Sequence, residues 1–323
     1  MKKQRYVIAS YRTSYGGVIV LHNLCRLLNE LGQNASIIYF ADFNYPEKHK
    51  TIFWVKWFFY SIRISIKSIL EKILGPDRLK GFFDVSMKGI KRKYTPFVSK
   101  DTIVVYSERM FGNPLKAKKV VRWLLYHNNL YKQDGNKTIG YEKNDLFFSY
   151  RDVFNDWRLN PGCRICYTPY IDLEKYRRYN YGERHGKCYV LRKGEWRVNK
   201  NECRDGIIVD DLSEKEKVRV FNECEYCISY DTQTAYSQIA AMCGCISIVV
   251  PEKGKKREDY RHNENSFGEA FGFDKDEIEK ALFTAPFLKE IFHESNKKSK
   301  EQVISFIREC EDYFCSISFS EIR

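Results

Sequence analysis

Several kinds of segment are missing from this sequence of 323 residues. Its first residues, MKKQRYVIAS, contain no apolar stretch of the kind that a signal peptide requires. It has no run of about 18 uncharged apolar residues, so we expect no membrane-spanning helix. It also has no long polar or low-complexity tract and no internal repeat. We therefore expect a cytoplasmic protein without a large disordered region.

Familiar short motifs are missing as well. No G-x-G-x-x-G follows the first apolar run, which argues against a dinucleotide-binding enzyme such as a nucleotide-sugar epimerase or dehydrogenase. A nucleic-acid-binding protein is favoured by the net charge of +13 and the 23 tyrosines. The sequence nevertheless has no RNP-type motif, zinc finger or basic helix, so we predict no nucleic-acid partner.

Cysteine is abundant and odd in number, with 11 residues, as suits reduced thiols in a cytoplasm. Two C-x-x-C pairs, Cys163/Cys166 and Cys224/Cys227, have the spacing of zinc ligands. The pairs lie far apart in the sequence, and both Cys166 and Cys227 sit in apolar, aromatic runs. We therefore predict buried structural thiols and no metal site.

Length and charge suggest two domains and an anionic partner. A chain of 323 residues is long for one core. The 55 Lys and Arg against 42 Asp and Glu favour nucleic acid, a membrane surface or a phosphorylated substrate, although a solvated basic surface explains them equally well.

The first 40 residues have the pattern of a β-α-β unit. An apolar strand at 6–10 leads into a loop at 11–17 that ends in Gly16 and Gly17. A helix follows, with leucines at three- and four-residue spacing up to Gly32, and then a strand at 35–40. Such a unit implies a parallel sheet, whose carboxyl edge binds ligands, and the glycine loop lies at that edge.

The segment 51–74 mixes aromatic and basic residues, TIFWVKWFFYSIRISIKSILEKIL. It is interpreted either as an interfacial helix on anionic lipid or as a helix packed on its domain with snorkelling lysines. Further basic residues at Lys88, Lys91, Arg92 and Lys93 favour the membrane-facing interpretation.

Apolar runs predict the remaining strands of an α/β fold with two Rossmann-like domains. In the first half they lie at 102–106, 120–126, 146–150 and 164–168. The polar segment Asp172 to Arg184 is interpreted as a linker. In the second half, strands are predicted at 188–191, 206–209, 227–230 and 246–250, with helices at 213–222 and 235–243. We place the domains at 1–178 and 179–295, with a closing helix in 296–323.

The sharpest local pattern is SYDTQTAYSQIAAMCGCISIVVPE, residues 229–252. A strand ends at Tyr230, a polar loop follows, and a small-residue helix ends at Gly244. The N-terminus of that helix points out of the carboxyl edge of the sheet, where free N–H groups and the helix dipole suit a phosphate. An ordinary α/β crossover has the same pattern.

This segment resembles the donor-binding segment of GT-B glycosyltransferases, in which a polar loop leads into a helix of the type E-A-x-x-x-G-x-P-V. Gln238 stands where the family usually has a glutamate that holds the nucleotide ribose, and Ser247 follows Ile246 where Pro-Val is usual. The segment at 14–40 is similar to the first β-α-β unit of GT-B enzymes, and the segment at 187–196 resembles the first strand of a GT-B donor domain. The segment at 112–129 resembles part of bacterial surface-polysaccharide glycosyltransferases. The resemblance implies two sheets that face a central cleft.

What the resemblance implies about chemistry is a sugar transfer from a nucleoside-diphosphate sugar, without a metal or other cofactor, to a glycan or lipid-linked acceptor. The sequence has no D-x-D flanked by apolar strand residues, and we expect Asp210-Asp211 to cap the helix that follows. A catalytically inactive scaffold stays open because of Gln238.

The candidate site residues follow from this implied chemistry. The donor would be held by Gly16, Gly17, Arg192, Lys193, Thr232, Thr234, Tyr236, Ser237 and Gln238. Candidate catalytic groups are His127 and Glu108, each just past a strand, and Asp231, which is expected to face the same cleft from the second domain.

Overall fold

A computed structural model gives the conformation of most of the chain. The described residues are 3–11, 16–40, 87, 90–93, 95–110, 112–127, 141–259, 266–320 and six helical positions between 55 and 66. The chain divides into two compact units, Met1–Tyr170 with Asn296–Arg323, and Ile171–Ser295.

The first unit contains a five-stranded, fully parallel sheet in the order β2-β1-β3-β4-β5. Its strands are β1 Arg5–Tyr11, β2 Asn34–Phe40, β3 Ile103–Ser107, β4 Lys119–Leu124 and β5 Leu146–Ser149. All five are almost wholly buried, as expected of strands covered on both faces.

The predicted strand at 164–168 was wrong. Only Ile165 pairs, through one isolated parallel bridge to Ser149. β5 ends at Ser149, and the chain then turns into the 3₁₀ helix Asp152–Phe154. The apolar run at 164–168 can therefore pair with only one residue of β5.

Helix α1, Gly16–Glu30, buries its apolar stripe against this sheet. The sequence predicts that the glycine pair ends the loop before the helix. In the structure the pair instead lies in the first turn of the helix. Gly32 follows the helix with φ of 82°, the left-handed conformation that only glycine adopts at no steric cost.

The second unit repeats the topology, with strand order β10-β9-β8-β6-β7. Its strands are β6 Lys187–Val190, β7 Gly206–Ile208, β8 Tyr226–Ser229, β9 Ile246–Val249 and β10 Glu269–Phe271, all parallel. Its helices are α2 Glu214–Glu223, α3 Tyr236–Cys243 and α4 Lys275–Thr284. The prediction of two Rossmann-like, parallel α/β folds is confirmed.

The segment from Asp172 to Arg184, interpreted from its polar sequence as a linker, belongs to the second unit. Asn180 donates its backbone N–H to Asn222 Oδ1 and its side-chain amide to the Asn222 carbonyl, and Arg184 donates to the carbonyls of Phe221, Cys224 and Cys243. Its polar side chains thus satisfy the C-terminal carbonyls of α2 and α3.

The C-terminal helix α5, Leu288–Ser320, contains the predicted closing helix and packs on the first sheet. Phe306 lies with its ring centroid 4.7 Å from that of Phe148 and 6.2 Å from that of Tyr6. The residues from 296 onward therefore complete the core of the first unit, although the strands that they cover lie in the first half of the chain.

All 11 cysteines are free, and Cys166, Cys224 and Cys227 are buried as predicted, whereas Cys163 is half-buried. Cys224 and Cys227 pack in the second core with Cys188 and Cys245. Among the described residues no group of three or more His, Cys, Asp or Glu side chains is arranged to hold a metal ion.

Within the described part of the chain, no helix has the length and apolar character needed to span a bilayer. Of the segment 51–74, six positions are described, and all six are helical and exposed: Val55, Phe58, Phe59, Ile62, Arg63 and Ile66. The remaining positions of this segment, Trp54 and Trp57 among them, and Lys88 lie outside the described residues.

Candidate functional site

The second sheet has a topological switch point between β6 and β8, because the chain leaves these two adjacent strands towards opposite halves of the sheet. In open α/β sheets, the crevice outside the carboxyl ends of such strands is the usual ligand site. Two segments meet there, the 3₁₀ turn Arg192–Arg197 after β6 and the loop 230–235 between β8 and α3.

These two segments touch through a glycine. A Cβ added at Gly194 would lie 2.0 Å from the carbonyl oxygen of Tyr230, so only glycine allows the turn to approach the end of β8. Arg197 reinforces the contact by donating to the carbonyls of Tyr230 at 2.7 Å, Val250 at 3.0 Å and Pro251 at 2.6 Å. Arg197 thus ties the ends of β8 and β9 to the turn.

Neither Gly194 nor Arg197 was singled out from the sequence. Both lie in the segment RKGEWR, which was interpreted only through its first two basic residues. Glycine immediately after a strand was the one available signal.

Arg192 begins the turn in an unusual backbone conformation, with φ of 40°. The backbone N–H groups of Leu191 and Arg192 both donate to the carboxylate of Asp210, the latter at 2.7 Å. The Arg192 guanidinium carbon lies 5.2 Å from the ring centroid of Tyr236, the first residue of α3. The structure therefore brings Arg192 to the N-terminus of that helix.

The prediction that Asp210-Asp211 caps the next helix was wrong. Ser213 is the cap of α2, in a reciprocal pair with Glu216. Asp210 instead accepts the two N–H groups that begin the turn, and burial raises the pKa of its carboxyl.

The hydroxyl group of Tyr236 is held by Glu214. Its hydroxyl donates to Glu214 Oε1 at 2.6 Å, and Lys217 Nζ lies 5.2 Å from its ring centroid. A buried tyrosine at the start of α3 therefore contacts two cationic side chains and one carboxylate.

The polar side chains of the loop before α3 mainly form hydrogen bonds within the loop and to the start of the helix. Asp231 is buried and accepts from the Gln233 N–H at 2.9 Å, and Thr232 is also buried. Thr234 Oγ1 accepts from the Tyr236 N–H at 3.2 Å, which occupies the first N–H of the helix, whereas the N-cap residue Ala235 provides no capping side chain.

Two of the predicted donor residues point into the unit. Ser237 is fully buried, and its hydroxyl bonds to the Glu269 carboxylate and to the Thr234 carbonyl. Gln238 Nε2 donates to the Phe267 carbonyl at 3.4 Å. Lys193, by contrast, is exposed on the turn.

At the carboxyl edge of the first sheet, Glu108 follows β3 and is buried. It accepts the backbone N–H of Leu125, just past β4, at 2.9 Å. Burial raises the pKa of Glu108 to about 7, against the lowering effect of that hydrogen bond. A carboxyl with this pKa exchanges protons near neutral pH.

The glycines of α1 lie at the same edge. A Cβ on Gly17 would approach Leu125 Cδ1 at 3.4 Å, whereas Gly16 is exposed with no atom near such a Cβ. Gly17 and Glu108 therefore both lie next to Leu125.

His127 is exposed and belongs to an aromatic cluster at the ends of β4 and β5. Its ring centroid lies 5.0 Å from those of both Tyr126 and Phe154, and these two are 5.2 Å apart. All three contacts are edge-on or tilted, the favoured geometry of aromatic pairs.

Comparison with known proteins gives distant structural similarities. No protein-family model matches the chain, and no curated protein matches it in sequence. It is similar to an α-glucosyltransferase solved in complex with UDP and a 13-mer DNA containing a HMU base, with 11% identity over 97% of this chain and 99% of that one, and a TM-score of 0.43.

A second similar structure is the glycosyltransferase VinC in complex with DTDP, with 10% identity over 96% of this chain and 99% of that one, and a TM-score of 0.38. A third is CalG4, the calicheamicin glycosyltransferase, with 11% identity over 97% of this chain and 98% of that one, and a TM-score of 0.35. Similarities at this level do not assign an activity, which has to be argued from the residues of this chain.

Proposed function

We propose that this protein is a glycosyltransferase of the GT-B type, which takes a sugar from a nucleoside-diphosphate donor bound at the switch point of the second unit. One observation carries the proposal. The sequence pattern predicted that Arg192 and the start of the helix at 235–243 serve one anion, and the Arg192 guanidinium lies 5.2 Å from the ring of the first residue of α3.

The chemistry of the site suits a diphosphate. Arg192 supplies a planar cation that can pair with two phosphate oxygens, and Lys193 adds an exposed charge on the same turn. The N-terminus of α3 adds backbone N–H groups and the positive end of a helix dipole. As the sugar leaves, negative charge develops on the diphosphate, and these groups stabilise it most at that moment.

Glu108 is our first candidate for the base that would activate an acceptor hydroxyl. A raised pKa close to the working pH lets a carboxylate accept a proton in the transition state and release it afterwards. His127 is the alternative, since it is exposed on the same sheet edge. Asp231 is proposed to hold donor hydroxyls, and no metal or cofactor enters the proposal.

The donor can be identified by thermal shift against UDP-, GDP-, CMP- and dTDP-sugars, because a ligand that binds the folded state raises the melting temperature. Arg192→Ala and Lys193→Ala are then made separately. Charge-assisted hydrogen bonds contribute about 1.5–3 kcal/mol each, so at least one variant should bind the nucleoside diphosphate about tenfold or more weakly. If both bind it as wild type does, with unchanged melting temperatures, the proposed site is wrong.

We further propose that the acceptor is a glycan or a lipid-linked glycan in bacterial surface-polysaccharide assembly, reached at the cytoplasmic face of the membrane. The support is the exposed side of the segment 51–74. Val55, Phe58, Phe59, Ile62 and Ile66 follow one another at three- and four-residue spacing and are 41% to 66% exposed. Exposed apolar side chains at this spacing lie on one side of a helix, next to the exposed Arg63.

Vesicle co-sedimentation tests this membrane contact. The triple variant Phe58→Ser, Phe59→Ser, Ile62→Ser should lose most binding to phosphatidylglycerol-containing vesicles while its melting temperature stays the same. Phe283→Ser with Phe287→Ser is the control, because these two phenylalanines are also exposed, 75% and 46%, and lie in the second unit. Equal binding by the triple variant and wild type would refute the membrane proposal.

A further inference from the structure

The carboxylate of Glu214, the first residue of α2, collects four donors. Its Oε1 accepts the Tyr236 hydroxyl at 2.6 Å and Lys217 Nζ at 3.3 Å. Its Oε2 accepts the Tyr176 hydroxyl and Lys175 Nζ, the latter at 3.4 Å. Each oxygen therefore takes one phenol and one ammonium group, which fixes the carboxylate in place.

The electrostatics keep this arrangement in one protonation state. Burial by itself would raise the pKa of Glu214, but the two phenol hydrogen bonds and the two lysines outweigh it and hold that pKa below its ordinary value. Burial raises the pKa of Tyr236, so its hydroxyl stays protonated and donates. The pair is thus a neutral donor on a carboxylate throughout the neutral pH range.

Tyr236 is also fixed by packing. It is 9% exposed, and its ring centroid lies 6.3 Å from that of Phe221 in the second core. Its backbone N–H is taken by Thr234 Oγ1. Both the ring and the hydroxyl of Tyr236 are therefore set before any ligand arrives.

Arg192 rests on this fixed ring. Its backbone is strapped to Asp210, and its guanidinium lies over the Tyr236 ring at 5.2 Å, inside the range of a cation–π contact. An arginine held at both its backbone and its guanidinium plane loses less side-chain freedom on binding than a free one would.

We propose that Glu214 and Tyr236 are positioning residues for Arg192: Glu214 fixes the Tyr236 phenol, and the Tyr236 ring fixes the plane of the Arg192 guanidinium that receives the donor diphosphate. This inference rests on the proposed function, because it assigns a role to residues behind the same anion site. The sequence pattern predicted Tyr236 as a residue that holds the donor, but it did not reveal Glu214, which lies 22 residues earlier in the chain.

The test is a double-mutant cycle read out as affinity for UDP, GDP and dTDP by titration calorimetry. Tyr236→Leu removes the ring and should weaken the best of the three ligands by about 3- to 30-fold, the range of a partly to fully desolvated cation–π contact. Tyr236→Phe keeps the ring and should lose distinctly less. Tyr236→Met, whose longer and flexible side chain can fill an irregular gap, serves if the leucine variant does not fold.

Arg192→Ala supplies the second arm of the cycle. In that background, Tyr236→Leu and Glu214→Gln should have no further effect on affinity, because they act through the missing guanidinium. Tyr189→Phe is the matched control: it removes a buried phenol whose hydrogen bond goes to Asp205 and not to Glu214, and it should leave affinity within about twofold.

The outcomes separate the two proposals. If Arg192→Ala binds the nucleotides as wild type does, the positioning role is refuted, and the diphosphate site is refuted as well only if Lys193→Ala also binds as wild type does. If Arg192→Ala weakens binding but the effects of Tyr236→Leu and Arg192→Ala simply add, the site stands and the positioning role is refuted. Equal losses for Tyr189→Phe and Tyr236→Phe would refute it as well, since they would report general packing.

Discussion

The Nε atom of Arg122 lies 2.7 Å from Oδ2 of Asp145 in the interior of the first unit, where the two side chains are 0% and 2% exposed. Arg122 lies on β4 between the rings of Tyr106 and Tyr141, each 5.0 Å from its guanidinium carbon, and also donates to the Met110 carbonyl at 3.1 Å. A charge so deep in a sheet is tolerated because it is paired and its donors are used.

We predict that Asp145→Ala lowers the free energy of unfolding by about 3–5 kcal/mol, because it leaves the Arg122 charge buried without its partner. The double variant Arg122→Met, Asp145→Leu should lose less than Asp145→Ala alone. Urea denaturation measures both. Arg219→Ala, which breaks the exposed pair with Glu223, is the control and should change stability by no more than about 1 kcal/mol. Equal losses for the single and double variants would contradict this account.

His22 gives a pH-dependent prediction for stability. Burial lowers its pKa to about 4, although its Nδ1–H donates to the Val18 carbonyl at 2.7 Å and its Nε2 accepts from the Tyr39 hydroxyl at 2.7 Å. The unfolded state then binds more protons than the folded state. Stability should be complete above about pH 6.5 and should fall as the pH drops towards 4, by up to roughly 3 kcal/mol.

His22→Gln removes this titration, so its unfolding free energy should depend less steeply on pH between 6.5 and 4 than that of the wild type. The exposed His293, replaced by Gln, should leave the slope as it is. Parallel slopes for His22→Gln and wild type would show that the histidine is not held neutral.

Glu108 should affect the pH dependence of stability in the opposite direction to His22. Its folded pKa, about 7, lies above the ordinary carboxyl value, so its contribution to stability is present at low pH and is lost as the pH rises through about 7. Glu108→Gln keeps an acceptor for the Leu125 N–H but cannot ionise. Its stability relative to the wild type should therefore increase between about pH 4.5 and 7, measured by urea denaturation at several pH values.

The activity of the same variant tests the role as a base. If Glu108 accepts the acceptor proton, kcat/KM of the wild type should rise with pH through about 7, and Glu108→Gln should lose about 100-fold or more and that rise with it. His127→Gln would show the loss instead if the exposed histidine is the base.

Gly194→Ala tests the contact between the turn and β8. The added Cβ would meet the backbone oxygen of Tyr230 at 2.0 Å, and a backbone atom cannot move aside without moving the strand end. We predict a lower melting temperature together with weakened nucleotide binding, because Arg192 and Lys193 are carried by the same turn. Gly162→Ala is the control, since its Cβ would meet only the end of the Arg164 side chain, at 3.7 Å. A fully stable, fully binding Gly194→Ala would contradict the structure of the turn.

The β-α-β order, the parallel sheets and the closing helix could be predicted from the sequence, because apolar periodicity, glycine after helices and short buried strands are local properties of the chain. It also predicted that the basic residues after β6 and the start of α3 would lie at one sheet edge, since the ends of neighbouring parallel strands meet there. Whether these residues bind a donor stays a prediction.

Contacts between residues far apart in the chain could not be predicted in this way. A run such as 164–168 looks like a strand but pairs through one residue, because pairing depends on the length of the neighbouring strand. Asp210 looked like a helix cap, yet it accepts the N–H groups of a segment 18 residues earlier in the chain. Arg197 likewise bonds to the ends of two strands, and Glu214 bonds to Tyr236, in each case between segments far apart in sequence. Such contacts depend on the order of the strands in the sheet, which brings these segments together.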